Sequence, residues 1–127
     1  MRLSLNKAIS ISIHCNAAGA DGKWHTASGW GVFVSQNASQ NSKKLAKTLY
    51  DEALLLNLKG NRSVPNEHYW IQNLAMCRDT ICPAVLTENL FQDNKEDVDF
   101  LLSEEGKQLI TKVHVDGILS YIKSVKK

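Results

Sequence analysis

The stretch Ile9-Ser10-Ile11-Ser12-Ile13-His14-Cys15-Asn16 constrains this chain more than any other. Ile9, Ile11 and Ile13 alternate with Ser10, Ser12 and His14, and a period of two with β-branched residues predicts a strand. The strand runs into a polar cluster, His14-Cys15-Asn16, and then into the breaker run Ala17 to Gly22. In open α/β sheets, chemistry collects at the carboxyl ends of strands. A histidine at such an end can be a metal ligand, a general base or a satisfied polar residue. The apolar face of the strand calls for a helix to cover it, and nothing upstream in the chain could supply one.

Downstream, Gly29 to Val34 predicts a second strand, whose glycines admit close backbone approach. Leu45, Leu49, Ala53 and Leu56 recur at helical spacing. They predict a helix from Ser42 or Lys43 to Asn57, with Ser42 as N-cap and Gly60 as the stop. Tyr69 to Ile71 reads as a short strand and Met76 to Ile81 as a helical turn. Ala84 to Glu88 is an apolar run of strand length. Asp93-Asn94 caps a short helix, Lys95 to Leu102, and Ser103 restarts a longer one to Val125. The stripe of the last helix is Leu109, Ile110, Val113, Gly117, Ile118, Tyr121, Ile122 and Val125. A glycine inside a helix costs about 1 kcal/mol against alanine, so Gly117 is expected to mark close packing on the sheet. There is no internal repeat and no linker.

Composition removes several classes of function. A single domain of 127 residues can bury roughly two-thirds of its unfolded surface. A net charge of +2 is too small to argue for nucleic acid. No apolar run is long enough to span a bilayer, and polar residues interrupt any signal-peptide core near Met1. Cytoplasmic synthesis, or a natural N-terminus lying further upstream, is the expectation. The three cysteines, Cys15, Cys77 and Cys82, are an odd count and a poor disulfide framework. Cys77 and Cys82 alone do not make a zinc site.

Two strands thus end in ionisable groups, His14 and Glu88. If the strands run parallel in one sheet, both side chains reach the same rim. A neutral imidazole suits zinc, and a neighbouring carboxylate can take a proton from an attacking water. The competing reading is a histidine at the edge of the core and a glutamate that caps or pairs. Trp24 and His25, in the loop after His14, could contact a sugar or peptide or could pin the loop. His68 and His114 read as structural. Cys15 abuts His14, but neighbours in a strand point to opposite faces, which disfavours a Cys–His nucleophile.

Ile11-Ser12-Ile13-His14-Cys15-Asn16-Ala17 resembles the S-I-H-x-N-A block of the zinc-dependent N-acetylmuramoyl-L-alanine amidases. Pro83 to Asn94 resembles their P-A-V-L-x-E-x-G-F-x-x-N block. Gly29 to Ser35 is similar to the family's glycine-led strand, and Gly117-Ile118 with Tyr121-Ile122 to its closing block. The resemblance covers nearly the whole chain. It implies an α/β fold: a mixed, mostly parallel sheet flanked by helices, in a single amidase domain over 1–127 that is N-terminally incomplete. It implies cleavage of the amide joining N-acetylmuramic acid to L-alanine at the bacterial cell wall, by a housekeeping enzyme or a phage lysin. Zinc would be the cofactor, His14 a metal ligand, Glu88 the catalytic carboxylate, and Arg62 a contact for a substrate carboxylate. The partner would be peptidoglycan, with neither nucleic acid nor a membrane span.

Two departures stand out. Leu90 occupies the place of the family's glycine after the glutamate. The family also has two further zinc ligands, a histidine and a glutamate, on elements that this sequence lacks, so zinc is expected to bind weakly or not at all. Such a chain would expose a sheet edge, an invitation to self-association. A decayed amidase that only binds peptidoglycan, and a metal-free cysteine hydrolase, remain the alternatives.

Overall fold

The computed structural model describes residues 8–58, 64–74, 77 and 82–126. Four strands form one sheet in the order β1-β4-β2-β3: β1 (Ser10–Asn16), β2 (Trp30–Ser35), β3 (Trp70–Gln72) and β4 (Ala84–Phe91). β1 pairs parallel with β4 and β3 parallel with β2, whereas β2 and β4 are antiparallel. The sheet is therefore mixed, as expected, and among the described residues three helices flank it: α1 (Gln40–Leu55), α2 (Lys95–Leu102) and α3 (Glu104–Val125).

Alternation along the strands divides the sheet into two faces. One carries Val85 and Thr87 of β4 with Trp30, Val32 and Val34 of β2, and packs against Leu45, Leu49 and Ala53 of α1 and Val113 and Tyr121 of α3. The cover for β1 thus comes from helices later in the chain, which bury its first half: Ile9 and Ile11 join this core. Ile13, expected on the same covered stripe, is 61% exposed. β1 is the edge strand of the described sheet, and the helices sit over the centre. The opposite face carries Ser12, His14, Leu86, Glu88, Gly31 and Phe33, with a smaller apolar cluster around Leu86, Phe33, Leu74 and Cys77.

Helix boundaries differ from expectation for local reasons. The N-cap of α1 is Ser39, whose hydroxyl accepts from the Ser42 N–H. Ser42 lies inside the first turn, where its hydroxyl accepts instead from the Ala84 N–H at the start of β4 (3.0 Å). The helix stops before Gly60, which lies outside the described residues. Asn57 takes the left-handed conformation (φ 65°), and the Asn57 and Leu58 N–H groups reach back to Leu54 and Ala53. This is the two-bond glycine-type termination, with asparagine in the glycine's place. Of the 76–81 turn, only Cys77 is described, and it is helical.

Asn94 caps α2 and Ser103 caps α3, each accepting from the backbone N–H three residues on. Of the stripe of α3, Val113, Gly117 and Tyr121 are buried and Leu109, Ile110 and Ile118 half-buried, but Ile122 and Val125 are exposed. Gly117 does mark a close approach, though to α1 and not to the sheet. A Cβ there would stand 2.4 Å from Leu49 Cδ2.

Candidate active site

His14 and Glu88 face each other in register across the parallel pair β1–β4. Register partners project to the same face, so an imidazole and a carboxylate from distant stretches of the chain share one rim of the sheet. His14 is exposed, and its Nε2 lies 2.7 Å from the Ser12 hydroxyl, two residues back on the same face. Glu88 is half-buried. Burial pushes its carboxyl above the ordinary 4.5, and the nearby His14 pulls in the other direction. A carboxyl tuned upward while its partner sits beside it is the arrangement a proton-transfer group needs.

The rim is shaped by an irregularity just beyond these residues. After the His14–Glu88 pair, Asn16 pairs with Phe91, so β4 spends one residue more than β1. Leu90, where the resemblance leads one to expect glycine, takes φ 67° with its side chain 5% exposed. The glycine conformation is thus kept by a leucine that gains burial in exchange for backbone strain.

At this bulge the side chain of Asn89 supplies what the strand ladder does not. Its Nδ2 donates to the His14 carbonyl and to Thr87 Oγ1, both at 3.0 Å, while its Oδ1 accepts from Trp30 Nε1 at 2.7 Å. His114 completes the chain: Nδ1 lies 2.8 Å from the Ile110 carbonyl and Nε2 lies 2.9 Å from Thr87 Oγ1. A carbonyl can only accept, so the Nδ1–H tautomer follows, and Thr87 donates to Nε2. Every polar group of this buried network is satisfied. The structural reading of His114 holds. The role of Asn89 had no periodic signal; its only trace was a polar residue inside an apolar run.

The loop after β1 is tied to the same rim. Asp93, expected to help cap α2, turns back instead: its Oδ2 accepts from Ala18 and Gly19 N–H, and its carbonyl accepts from His25 N–H. His25 is spent within the loop, with Nε2 2.8 Å from Asp21 Oδ1. That bond raises the imidazole above its ordinary 6.5 and lowers Asp21 below 3.8. Trp24 is 60% exposed beside it. Arg62 lies outside the described residues. His68 sits on Asp51 (2.8 Å) against the Tyr50 ring, at the edge of the core. Burial and the Glu88 charge hold the Cys15 thiol above its ordinary 9.0, the wrong direction for a thiolate nucleophile.

Catalytic zinc sites use three protein ligands and an open position. Among the described residues no three His, Cys, Asp or Glu side chains come together to hold a metal ion. His14 offers one donor, and the described residues do not by themselves fit zinc.

Comparison with known proteins agrees with this architecture. Residues 3–120 match the family model of N-acetylmuramoyl-L-alanine amidase. An endolysin of Bacillus phage SPP1 is 29% identical over 117 residues, covering 92% of this chain and 41% of the endolysin. The amidase Ami1 of Mycobacterium smegmatis superposes with a TM-score of 0.80 at 21% identity, over 91% of this chain and 54% of that one. An N-acetylmuramoyl-L-alanine amidase of Clostridium difficile 630 gives 0.76 at 24% identity, over 92% and 59%. The chain spans about half the length of these relatives. Since the family match runs through both strands that carry His14 and Glu88, and the fold agrees over nine-tenths of the chain, this protein belongs to the N-acetylmuramoyl-L-alanine amidase family.

Proposed function

We propose that this chain is a peptidoglycan hydrolase that cleaves the amide between N-acetylmuramic acid and L-alanine, with Glu88 as the proton-transfer group. The observation that carries this is the register pairing of His14 with Glu88 on an open sheet face. Glu88 accepts a proton from the water that attacks the amide carbonyl and hands it to the departing amine of L-alanine. Half-burial suits this role, because a carboxylate raised by desolvation is a better base than an exposed one. Asn89 holds the backbone of His14 beside it.

Zinc enters this proposal as the family's cofactor, with His14 as the donor this chain contributes. The described residues do not complete a zinc site, so no step is assigned to the metal. Trp24, which lines a shallow pocket with Lys23 and Asp93 in the loop after β1, stays in the proposal as a substrate contact. Arg62 stays in the proposal as a contact for a stem-peptide carboxylate. The place of action is the bacterial cell wall; among the described residues no helix is long and apolar enough to cross a membrane.

The test is digestion of purified disaccharide-peptides by the chain, with added zinc and with chelator, read by mass spectrometry. Release of peptides with a free L-alanine amine, lost in Glu88→Gln, is the expected result. Release that survives Glu88→Gln overturns the role of Glu88, and no release under any condition overturns the activity.

A further inference from the structure

On the side of Glu88 away from His14, the sheet face carries no side chain: the residue in register there is Gly31 of β2. The Trp70 indole reaches over this gap from β3. A Cβ on Gly31 would stand 3.6 Å from Trp70 Nε1 and 3.9 Å from the Phe33 ring. The Trp70 and Phe33 rings are stacked, 6.1 Å between centroids and 20° between planes. They line a groove with Phe91, bordered by the side-chain amides of Asn16 and Gln72. Trp70 is only half-buried, and its Nε1–H has no hydrogen-bond partner among the described residues.

The geometry points to this groove as the seat of an uncharged N-acetylated sugar ring, immediately beside the reacting amide. The inference rests on the amidase reading for which end of the substrate enters it. The lining decides between the two ends. An aromatic wall with amides at its mouth suits a pyranose, which offers an apolar C–H face and hydroxyls at its edge. A stem peptide carries carboxylates, yet among the described residues no cation lines the groove, and Glu88 adds a negative charge next to it. The bare backbone at Gly31 is what lets the Trp70 indole lie against the sheet as one wall of the groove. Trp70 is thus a substrate-binding residue, with its indole N–H aimed at a ring oxygen or an acetamido carbonyl.

The experiment uses N-acetylmuramic acid methylamide, which has the sugar and a neutral amide but no peptide, against the intact 127-residue chain. Affinity is measured by isothermal titration calorimetry for every variant, and the place of binding in the parent through the Trp70 indole N–H resonance. The sugar is expected to shift that resonance, and Trp70→Ala to weaken binding about tenfold, close to 1.4 kcal/mol. Trp70→Phe keeps a stacking ring and is expected to retain most of the affinity. It also controls for folding, since residue 70 packs on Phe33 in either case. An L-Ala-D-Glu-L-Lys peptide is expected to leave the resonance in place. The inference is overturned if the sugar leaves Trp70 unperturbed, if Trp70→Ala binds as the parent does, or if the peptide is what moves Trp70. Hydrolysis plays no part in this readout. Sugar binding at Trp70 in a chain that cleaves nothing keeps the groove and removes the amidase reading; cleavage without it does the reverse.

Discussion

His14 of β1 and Glu88 of β4 are register partners on neighbouring parallel strands, and the backbone that brings them together is held by a third side chain, Asn89. The pair faces an open side of the sheet, while the network behind it is buried against α3. The proposed proton-transfer group and the structural support are thereby separated onto opposite faces of one strand.

Glu88→Gln keeps the shape of the side chain and removes its basicity. Its expected effect is a loss of about 10²-fold or more in amide cleavage, with an unchanged far-ultraviolet circular dichroism spectrum. A rate within a fewfold of the parent would assign the proton transfer elsewhere.

Thr87→Val is nearly isosteric but leaves His114 Nε2 and one Asn89 N–H without partners in a fully buried place. The expected destabilisation is about 1–3 kcal/mol by urea unfolding. A neutral result would mean that water replaces the threonine hydroxyl.

Leu90 holds a left-handed backbone with a buried side chain. Leu90→Ala and Leu90→Gly both lose that packing, which costs about 2–5 kcal/mol. Only glycine relieves the backbone, so Leu90→Gly is expected to be more stable than Leu90→Ala by about 1 kcal/mol. Equal midpoints in urea would show that the strain is not there.

Gly117→Ala would gain about 1 kcal/mol on an open helix. Here the new methyl meets Leu49, which is fully buried and has nowhere to go. The expected sign is inverted, a loss of about 1–3 kcal/mol. In a Leu49→Ala background the same substitution is expected to stabilise, and a thermodynamic cycle over the four proteins measures the interlock.

His25 is raised by its bond to Asp21, and Asp21 is lowered by the same bond. The histidine's share of loop stability is present below its ordinary titration point and lost as pH rises through the raised one. The aspartate's share is present above its ordinary point and lost as pH falls through the lowered one. The loop is therefore pinned best between the ordinary values of 3.8 and 6.5. Asp21→Asn is expected to return the His25 titration, followed by NMR, towards 6.5. An unmoved titration would assign the shift to Asp93, the other negative charge acting on it.

Alternation and helical spacing along the chain determined which segments are strands and which are helices, because these are local consequences of where a side chain points; the end of β4 was not legible in this way, since it runs past Glu88 to Phe91 through the bulge paired with Asn16. The ends of α1 were not legible in the same way. Ser39 and Ser42 look alike as caps, and the choice is made by the Ala84 N–H arriving from the distant strand β4 to claim the second serine. Asn89 and Asp93 were ordinary polar residues until the bulge and the loop gave them partners. That Trp70 lies over the bare Gly31, and not in the core, depended on β3 pairing with β2. The exposure of Ile13 was likewise decided by sheet order: an isoleucine is buried only if something lies above it, and at the edge strand the helices have already ended.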